Sequence, residues 1–397
     1  MSLSGIKVLD FTHLLPGEVA STLFADMGAE ILRIEKLEKG LNELLPPIVD
    51  GESLYFWSLH RNKERIRVNL KSPQAADFLK RLVQELKIDV VLENFRPGVM
   101  ERLGLGYEAL KEINPALIYC SISGYGAKSK WKNRPGHDLT FVAESGILHE
   151  SQDEHGKPIL PGVFISDYMS GTYGALAAVS ALFERTMTGQ GKHLEISMFE
   201  SALSTLAVLG TINMQLGLES SEIHKRYPDV LPNHTLYRCQ DGRYLACAPV
   251  EPQFWQAFLA NIDRQDLLGK DPVEDKEYLL QQIAPTIASK TLAQWMEIFL
   301  EADCCVSPVN TLGEALSFLP EGVEKVTTAI AHPVLGQVHQ VKSPLYDATK
   351  TKNKNKDKNK KDVFCTDTRA SLQRVLQKMH LTEKETALLK ESGAFEF

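Results

Sequence analysis

Short apolar runs alternate with helix-patterned segments along the first ~200 residues. IKVLDF reads as a buried strand, VASTLFADMG as a helix and AEILRIEK as a second strand. The alternation continues with IRVNL as strand, SPQAADFLKRLVQEL as helix, and IDVVLENF (88–95) as strand. VMERLGLGYEALKEI follows as one helix, and ALIYCSISGYG as a strand ending in glycines. This rhythm predicts an α/β fold, a parallel sheet covered by helices on both faces. A glycine-rich, polar stretch, 143–165, interrupts it. DYMSGTYGALAAVSALFERTMTGQG then predicts a long helix, with Asp167 placed to cap its start and Gly189 and Gly191 to end it. Gly171, Gly174, Ala175 and Ala178 recur at helical spacing and would let another backbone approach closely. HLEISMFESALSTLAVLGTINMQL reads as a strand running into a second helix.

The pattern changes after this point. The polar segment 218–236, with Pro228, Pro232 and His234, predicts a linker. TLYRCQDGRYLACAPV predicts a hairpin around a Gln-Asp-Gly turn. Helices are expected over 252–260, 275–288 and 291–302, and CCVSPVNTLGEAL reads as strand, turn and helix. A β segment over 334–347 and amphipathic helices over 368–378 and 382–392 complete the chain. The expected division is a large domain over 1–217, a smaller α+β domain over 218–334, and a segment 335–397 that returns to the first.

Composition narrows the function. With 397 residues, 43% of them hydrophobic and 24% charged, the chain can bury a substantial core. No apolar run approaches the roughly 18 residues that a membrane span needs. MSLSGIKVLDFTHLLPG lacks a basic n-region and reads as a first strand, not a signal peptide. Net charge is −7, from 44 basic and 51 acidic residues. The tract 350–362, KTKNKNKDKNKKD, holds seven Lys and two Asp, hence +5, and leaves −12 on the other 384 residues. So acidic a body argues against general nucleic-acid binding. The tract is too polar to pack and is expected to be a solvated loop. The cysteines, Cys120, Cys239, Cys247, Cys304, Cys305 and Cys365, show no CxxC spacing. They are expected to be buried free thiols in a reducing cytoplasm, with no zinc site.

The chain contains no GxxxxGK[ST], GxSxG or HExxH sequence. SGYG (123–126) is a glycine-rich turn at a strand end, a common place for ligands in α/β sheets. Arg96, in NFRPGVMERLG, follows a strand and is either a phosphate ligand or a surface arginine. RNKERIR (61–67) places four basic residues in seven, as a solvated face or an anion site. His137 follows a Pro-Gly turn, Asp167 opens the long helix, and Glu251 precedes a helix that begins with Pro252. Each is an acid/base candidate, but taken alone each is better explained by turn, cap or helix start.

Taken in order, GIKVLDFTHLLPGEVASTLFADMGAEILRIEK, LENFRPGVMERLGLGYEALKEINPALIYCSISGYG, RPGHDLTFVAESGIL and DYMSGTYGALAAVSALFERTMTGQGKHLEISMFE resemble the family III CoA-transferases (CaiB/BaiF), the group that includes the α-methylacyl-CoA racemases. SPVNTLGEAL, AHPVLGQV and TRASLQRVLQKMHLTEKETALLKESGAF continue the likeness more weakly. The resemblance implies a Rossmann-like large domain, a small domain and a homodimer of interlocked rings. It implies an acyl-CoA or CoA ligand and no cofactor beyond the CoA moiety. Lys36, Arg61, Lys63 and Arg96 match positions that hold the nucleotide and phosphates of CoA. Gly124, Tyr125 and Gly126 match the turn near the pantetheine and thioester. In the family's transferases the aspartate at the position of Asp167 is a nucleophile that passes through an anhydride to an aspartyl-CoA thioester. In its racemases the same aspartate is a proton shuttle, faced by the histidine of a GHD sequence, with the glutamate of an EPQF sequence orienting that histidine. Here these sequences are Gly136-His137-Asp138 and Glu251-Pro252-Gln253-Phe254. The resemblance therefore implies a racemase that inverts the α-carbon of a 2-methylacyl-CoA, with a CoA-transferase acting through Asp167 as the alternative. A CoA-binding protein without activity is the third reading. Glu18, in LLPGEVAS, departs from the small or aromatic residue expected there.

Overall fold

A computed structural model of the chain describes residues 3–153, 155–218, 231–317, 326–346 and 363–397. Most of the expected linker and the whole Lys/Asn tract at 350–362 lie outside the described residues. The chain divides into two compact units, Met1–Leu206 with Lys325–Phe397, and Ala207–Glu324.

The first unit is built on six parallel strands: β1 (Lys7–Asp10), β2 (Glu30–Glu35), β3 (Lys63–Arg67), β4 (Val90–Glu93), β5 (Ile118–Ser123) and β6 (Lys192–Ser197). Their order is β3-β2-β1-β4-β5-β6. Leu9 stands level with Leu32 on one side and with Val91 on the other. Successive side chains point to opposite faces, so the strands feed two cores. Val8, Ile31, Val90, Leu92, Ile118 and Cys120 pack with Ala20 and Phe24 of helix α1 (Leu14–Asp26) and with Ala175 and Ala178 of the long helix. Leu9, Leu32, Val91 and Tyr119 pack with Phe78, Leu79 and Leu82 of α2 (Pro73–Glu85) and with Leu372 and Val375 near the C-terminus. The α/β expectation is met, with helices on both faces of the sheet.

The helix expected over 99–113 is two, Val99–Arg102 and α3 (Tyr107–Ile113). Gly104 is left-handed at φ +70° and breaks the run. The long helix, which follows α4 (Asp138–Glu144), is α5 (Ile165–Thr188). It ends at Gly189 with φ +69°. A Cβ at Gly171 would stand 2.4 Å from the carbonyl oxygen of Pro16, so α1 and α5 cross at backbone distance. The small-residue spacing read from the sequence serves this contact. Further along α5, Leu176, Phe183 and Met187 are exposed on the helix surface.

The second unit has a three-stranded antiparallel sheet, with β8 (Tyr244–Cys247) between β7 (Thr235–Arg238) and β9 (Val306–Pro308). Three helices, Pro252–Asn261, Lys276–Ile287 and Leu292–Phe299, cover it around Phe258, Ile283 and Trp295. Cys239, Cys247 and Cys304 are buried here, as Cys120 is in the large sheet. Against expectation, Cys305 is exposed and Cys365 half-buried.

Candidate active site

In a sheet of this order the chain leaves β1 and β4 in opposite directions and opens a crevice at their carboxyl ends. The loops that line it come from those ends. His13, Leu14 and Pro16 follow β1; Asn94, Phe95, Arg96 and Pro97 follow β4; Ser123 and Gly124 end β5. Together with Lys132, Arg134, Gly136, His137 and Asp167 they surround a cavity of about 270 Å³. Four of the expected site residues, Arg96, Gly124, His137 and Asp167, thus share one cavity.

The first two loops are tied together. Asn94 accepts from the His13 backbone N–H at 2.7 Å and donates to the His13 carbonyl at 2.5 Å. Burial, with Arg33 and Lys36 nearby, lowers the His13 imidazole to about 4, so it is neutral. Leu14 stands at φ +60°, a left-handed conformation unusual for a leucine. At the opposite wall, Cβ atoms at Gly124 and Gly136 would lie 2.9 and 2.5 Å from the ring of Phe141. Both turns need glycine because they close over that ring.

Asp167 does not cap α5, contrary to the sequence expectation. It is the third residue of the helix, and the cap comes from α4. Asp138 Oδ1 accepts the backbone N–H groups of Ser166 at 2.7 Å and Asp167 at 3.2 Å. Sequence reading missed this role of the GHD aspartate, and its signal was its place directly after His137. The Asp167 carboxyl is therefore free of capping and faces the cavity, half-buried. Burial, then the charges of Asp138 and Glu18, raise it to about 7. His137 is exposed, and its backbone N–H is held by Thr140 Oγ1 at 3.0 Å.

Other expected site residues sit elsewhere. Lys36 is exposed on a neighbouring cavity of about 210 Å³ that shares His13 and Leu14 with the first. Tyr125 is buried, donates to Glu144 at 2.7 Å, and with Gly126 borders a different hollow beside Trp131 and Phe199. Glu251 belongs to the second unit, where it is exposed at the start of the Pro252–Asn261 helix.

Arg61 and Lys63 are neither a solvated face nor available to phosphates. Arg61 is 2% exposed and binds Asp26 through Nε at 2.8 Å and Nη2 at 2.5 Å. Lys63 is 1% exposed and donates to Ser21 Oγ at 2.8 Å and the Glu18 carbonyl at 3.1 Å. Burial lowers its ammonium to about 7. Arg65 forks onto Glu35 at 2.8 and 2.7 Å, and Arg33 reaches Asp10, Glu18 and Glu35 at 3.1, 3.1 and 3.3 Å. The basic run is neutralised inside the protein by acids from distant segments. Arg33→Ala would leave three buried carboxyls without their shared cation. It is expected to destabilise the protein by about 3–5 kcal/mol, measured as a lower urea midpoint at unchanged slope.

A family model described as CoA-transferase family III matches residues 3–357. The chain belongs to CoA-transferase family III. Among its family III relatives, the α-methylacyl-CoA racemase of Mus musculus is 32% identical over 360 residues, covering 87% of this chain and 90% of the relative. The acetyl-CoA:oxalate CoA-transferase of Acetobacter aceti is 31% identical over 353 residues, covering 86% and 89%. Rv3272 from M. tuberculosis superposes with a TM-score of 0.73 at 25% identity, covering 86% of this chain and 92% of that one. A CaiB/BaiF family protein from Brucella suis shares the fold, with a TM-score of 0.79 at 22% identity over 95% and 99% of the two chains. Family III thus contains both racemases and CoA-transferases among proteins of similar identity to this one.

Proposed function

We propose that this family III enzyme is an acyl-CoA racemase acting on a 2-methylacyl-CoA. One observation carries the reading: His137 and Asp167 line one cavity, and the carboxyl of Asp167 is raised to about 7, into the range of an imidazole. Two-base inversion needs an acid and a base of similar proton affinity on opposite sides of one carbon. Neutral His137 removes the α-proton from one face, giving the enolate. Protonated Asp167 delivers a proton to the other face, and the roles reverse for the other epimer. The presence of both GHD and EPQF sequences supports this chemistry over transfer. The exposed Leu176, Phe183 and Met187 on α5 support the homodimer that the family resemblance implies.

A second reading has its own support. Arg96, Lys132 and Arg134 line the same cavity and would attract a carboxylic acid acceptor, as a CoA-transferase requires. Asp167 would then attack the acyl thioester as a nucleophile. Exchange of the α-proton in D₂O, followed by NMR without an acceptor acid, separates the two. Exchange with loss of stereochemical purity supports the racemase. No exchange, with CoA transfer once an acid is added and an aspartyl thioester trapped by hydroxylamine, overturns it.

Arg96 is exposed and lines the cavity, and its guanidinium has no hydrogen bond or ion pair among the described residues. It is the cation best placed to meet a CoA phosphate. Arg96→Ala is expected to raise KM about tenfold with little change in kcat, measured by steady-state kinetics with one acyl-CoA.

A further inference from the structure

Glu93 is the last residue of β4, at the point where the chain leaves the sheet for the cavity, and it takes no part in the chemistry at His137 and Asp167. It is buried, on the strand face that also buries Val91. A carboxyl in such a place costs free energy unless its oxygens are used. Its Oε2 accepts the backbone N–H of Phe95 at 2.8 Å. That N–H lies beyond the end of the strand, so no neighbouring strand takes it up. The loop is thereby fixed on both sides of Arg96. Upstream stand the Glu93–Phe95 bond, the double bond of Asn94 to the His13 backbone, and the Phe95 ring, edge-on to His13 at 5.0 Å. Downstream, the Arg96 carbonyl accepts the Val99 N–H at 3.1 Å. The backbone of Arg96 is held, and its guanidinium is left for a ligand.

We propose that Glu93 is a positioning residue for CoA: through the Phe95 N–H it sets where Arg96 stands in the cavity, and so how well Arg96 meets a phosphate. Glu93 acts through Arg96 and touches neither the ligand nor the reacting atoms. The proposal rests on the reading of Arg96 as the phosphate ligand, and holds for a racemase and a transferase alike.

The anchor suits the task because it belongs to the sheet. Glu93 stands level with Ser121 on β5, whose Oγ lies 3.0 Å from His193 Nε2 on β6. His193 stacks on Tyr107 of α3 at 5.1 Å and meets Tyr119 edge-on at 5.3 Å. Three neighbouring strands thus carry one polar side chain each on this face, backed by aromatic rings. A carboxyl on such a platform cannot follow the loop, so the loop follows the carboxyl. An exposed arginine on an untethered loop would spread its charge over many positions and lose more freedom on binding.

The test is a double-mutant cycle on CoA itself, with the dissociation constant read by titration calorimetry in wild type, Glu93→Met, Arg96→Ala and the double variant. Methionine is unbranched, apolar and of similar length, so it fits beside Val91 and removes only the acceptor. Glu93→Met should weaken CoA about three- to tenfold, and kcat at saturating acyl-CoA should change little. In the Arg96→Ala background the same change should add nothing, because the residue being positioned is gone. Effects that multiply would mean that Glu93 supports the cavity in general, and overturn the proposal. So would a Glu93→Met protein that binds CoA as wild type does while Arg96→Ala binds it weakly. If Arg96→Ala binds CoA normally, the phosphate reading fails instead, and Glu93 loses its task with it. Glu93→Gln is the rescue, since its amide oxygen still accepts from Phe95. A glutamine variant as weak as the methionine one would assign the effect to charge and overturn the proposal. Hydrogen exchange of the peptide spanning residues 94–98, followed by mass spectrometry, reads the bond directly. It should be slow in wild type and Glu93→Gln and fast in Glu93→Met. Should Glu93→Met not fold, exchange in the wild type decides: an unprotected Phe95 amide overturns the bond.

Discussion

Asp167→Asn is expected to lower turnover by about 10²–10⁴-fold, whichever reaction the site performs. The amide neither donates an acidic proton nor attacks a thioester, so both readings lose their essential group. The fold is expected to survive. The substitution is isosteric, and the start of α5 is capped by Asp138 through backbone N–H groups that the change leaves intact. Its stability should move with pH in a definite sense. The wild-type carboxyl is raised from 3.8 to about 7 by burial and by two neighbouring carboxyls. A raised carboxyl supports the fold at low pH and loses that contribution as pH rises through the folded value. Asp167→Asn lacks this loss, so its Tm should exceed that of wild type above pH 7 and approach it in acid. A thermal-shift series across pH, run beside the kinetics, checks both halves. An inactive variant that is also less stable at every pH would mean a structural role.

How much of this was visible in the sequence depends on how far apart the cooperating residues lie. The six-strand rhythm was legible because each strand and helix is a local pattern. The break in the 99–113 helix was not, since Gly104 and Gly106 sit within a periodicity that still reads as continuous. The places of Arg96 and Gly124 followed from strand ends in a doubly wound sheet, whereas His137 and Asp167 lie at or near helix starts and were joined to them only by the family resemblance. The fate of RNKERIR was hidden for the opposite reason. Its partners Asp26, Glu35 and Glu43 come from segments 22 to 35 residues upstream, and local pattern gives no sign of such pairing. Four basic residues in seven look solvated until a sheet brings acids to face them. Asp138 is the intermediate case. It adjoins a candidate base, but its use as a cap requires knowing that the α5 start packs against it.

His137→Ala is the substitution that divides the two chemistries. A racemase that loses one of its two bases should lose α-proton exchange by about 10²–10⁴-fold in the direction that starts with histidine. A transferase whose bond-making runs through Asp167 should retain most of its rate. The structure makes the comparison clean, because the imidazole is exposed and the start of α4 is held by backbone and by Thr140, not by the ring. Folding is therefore expected to be unchanged, and any loss reads on the reaction. The residual exchange is informative as well. With Asp167 still present and carrying a proton near neutrality, single-sided exchange without inversion would locate the surviving base on its side of the carbon. Exchange at the wild-type rate on both faces would remove His137 from the mechanism and leave the arginine- and lysine-lined cavity, with Asp167 as nucleophile, as the chemistry to pursue.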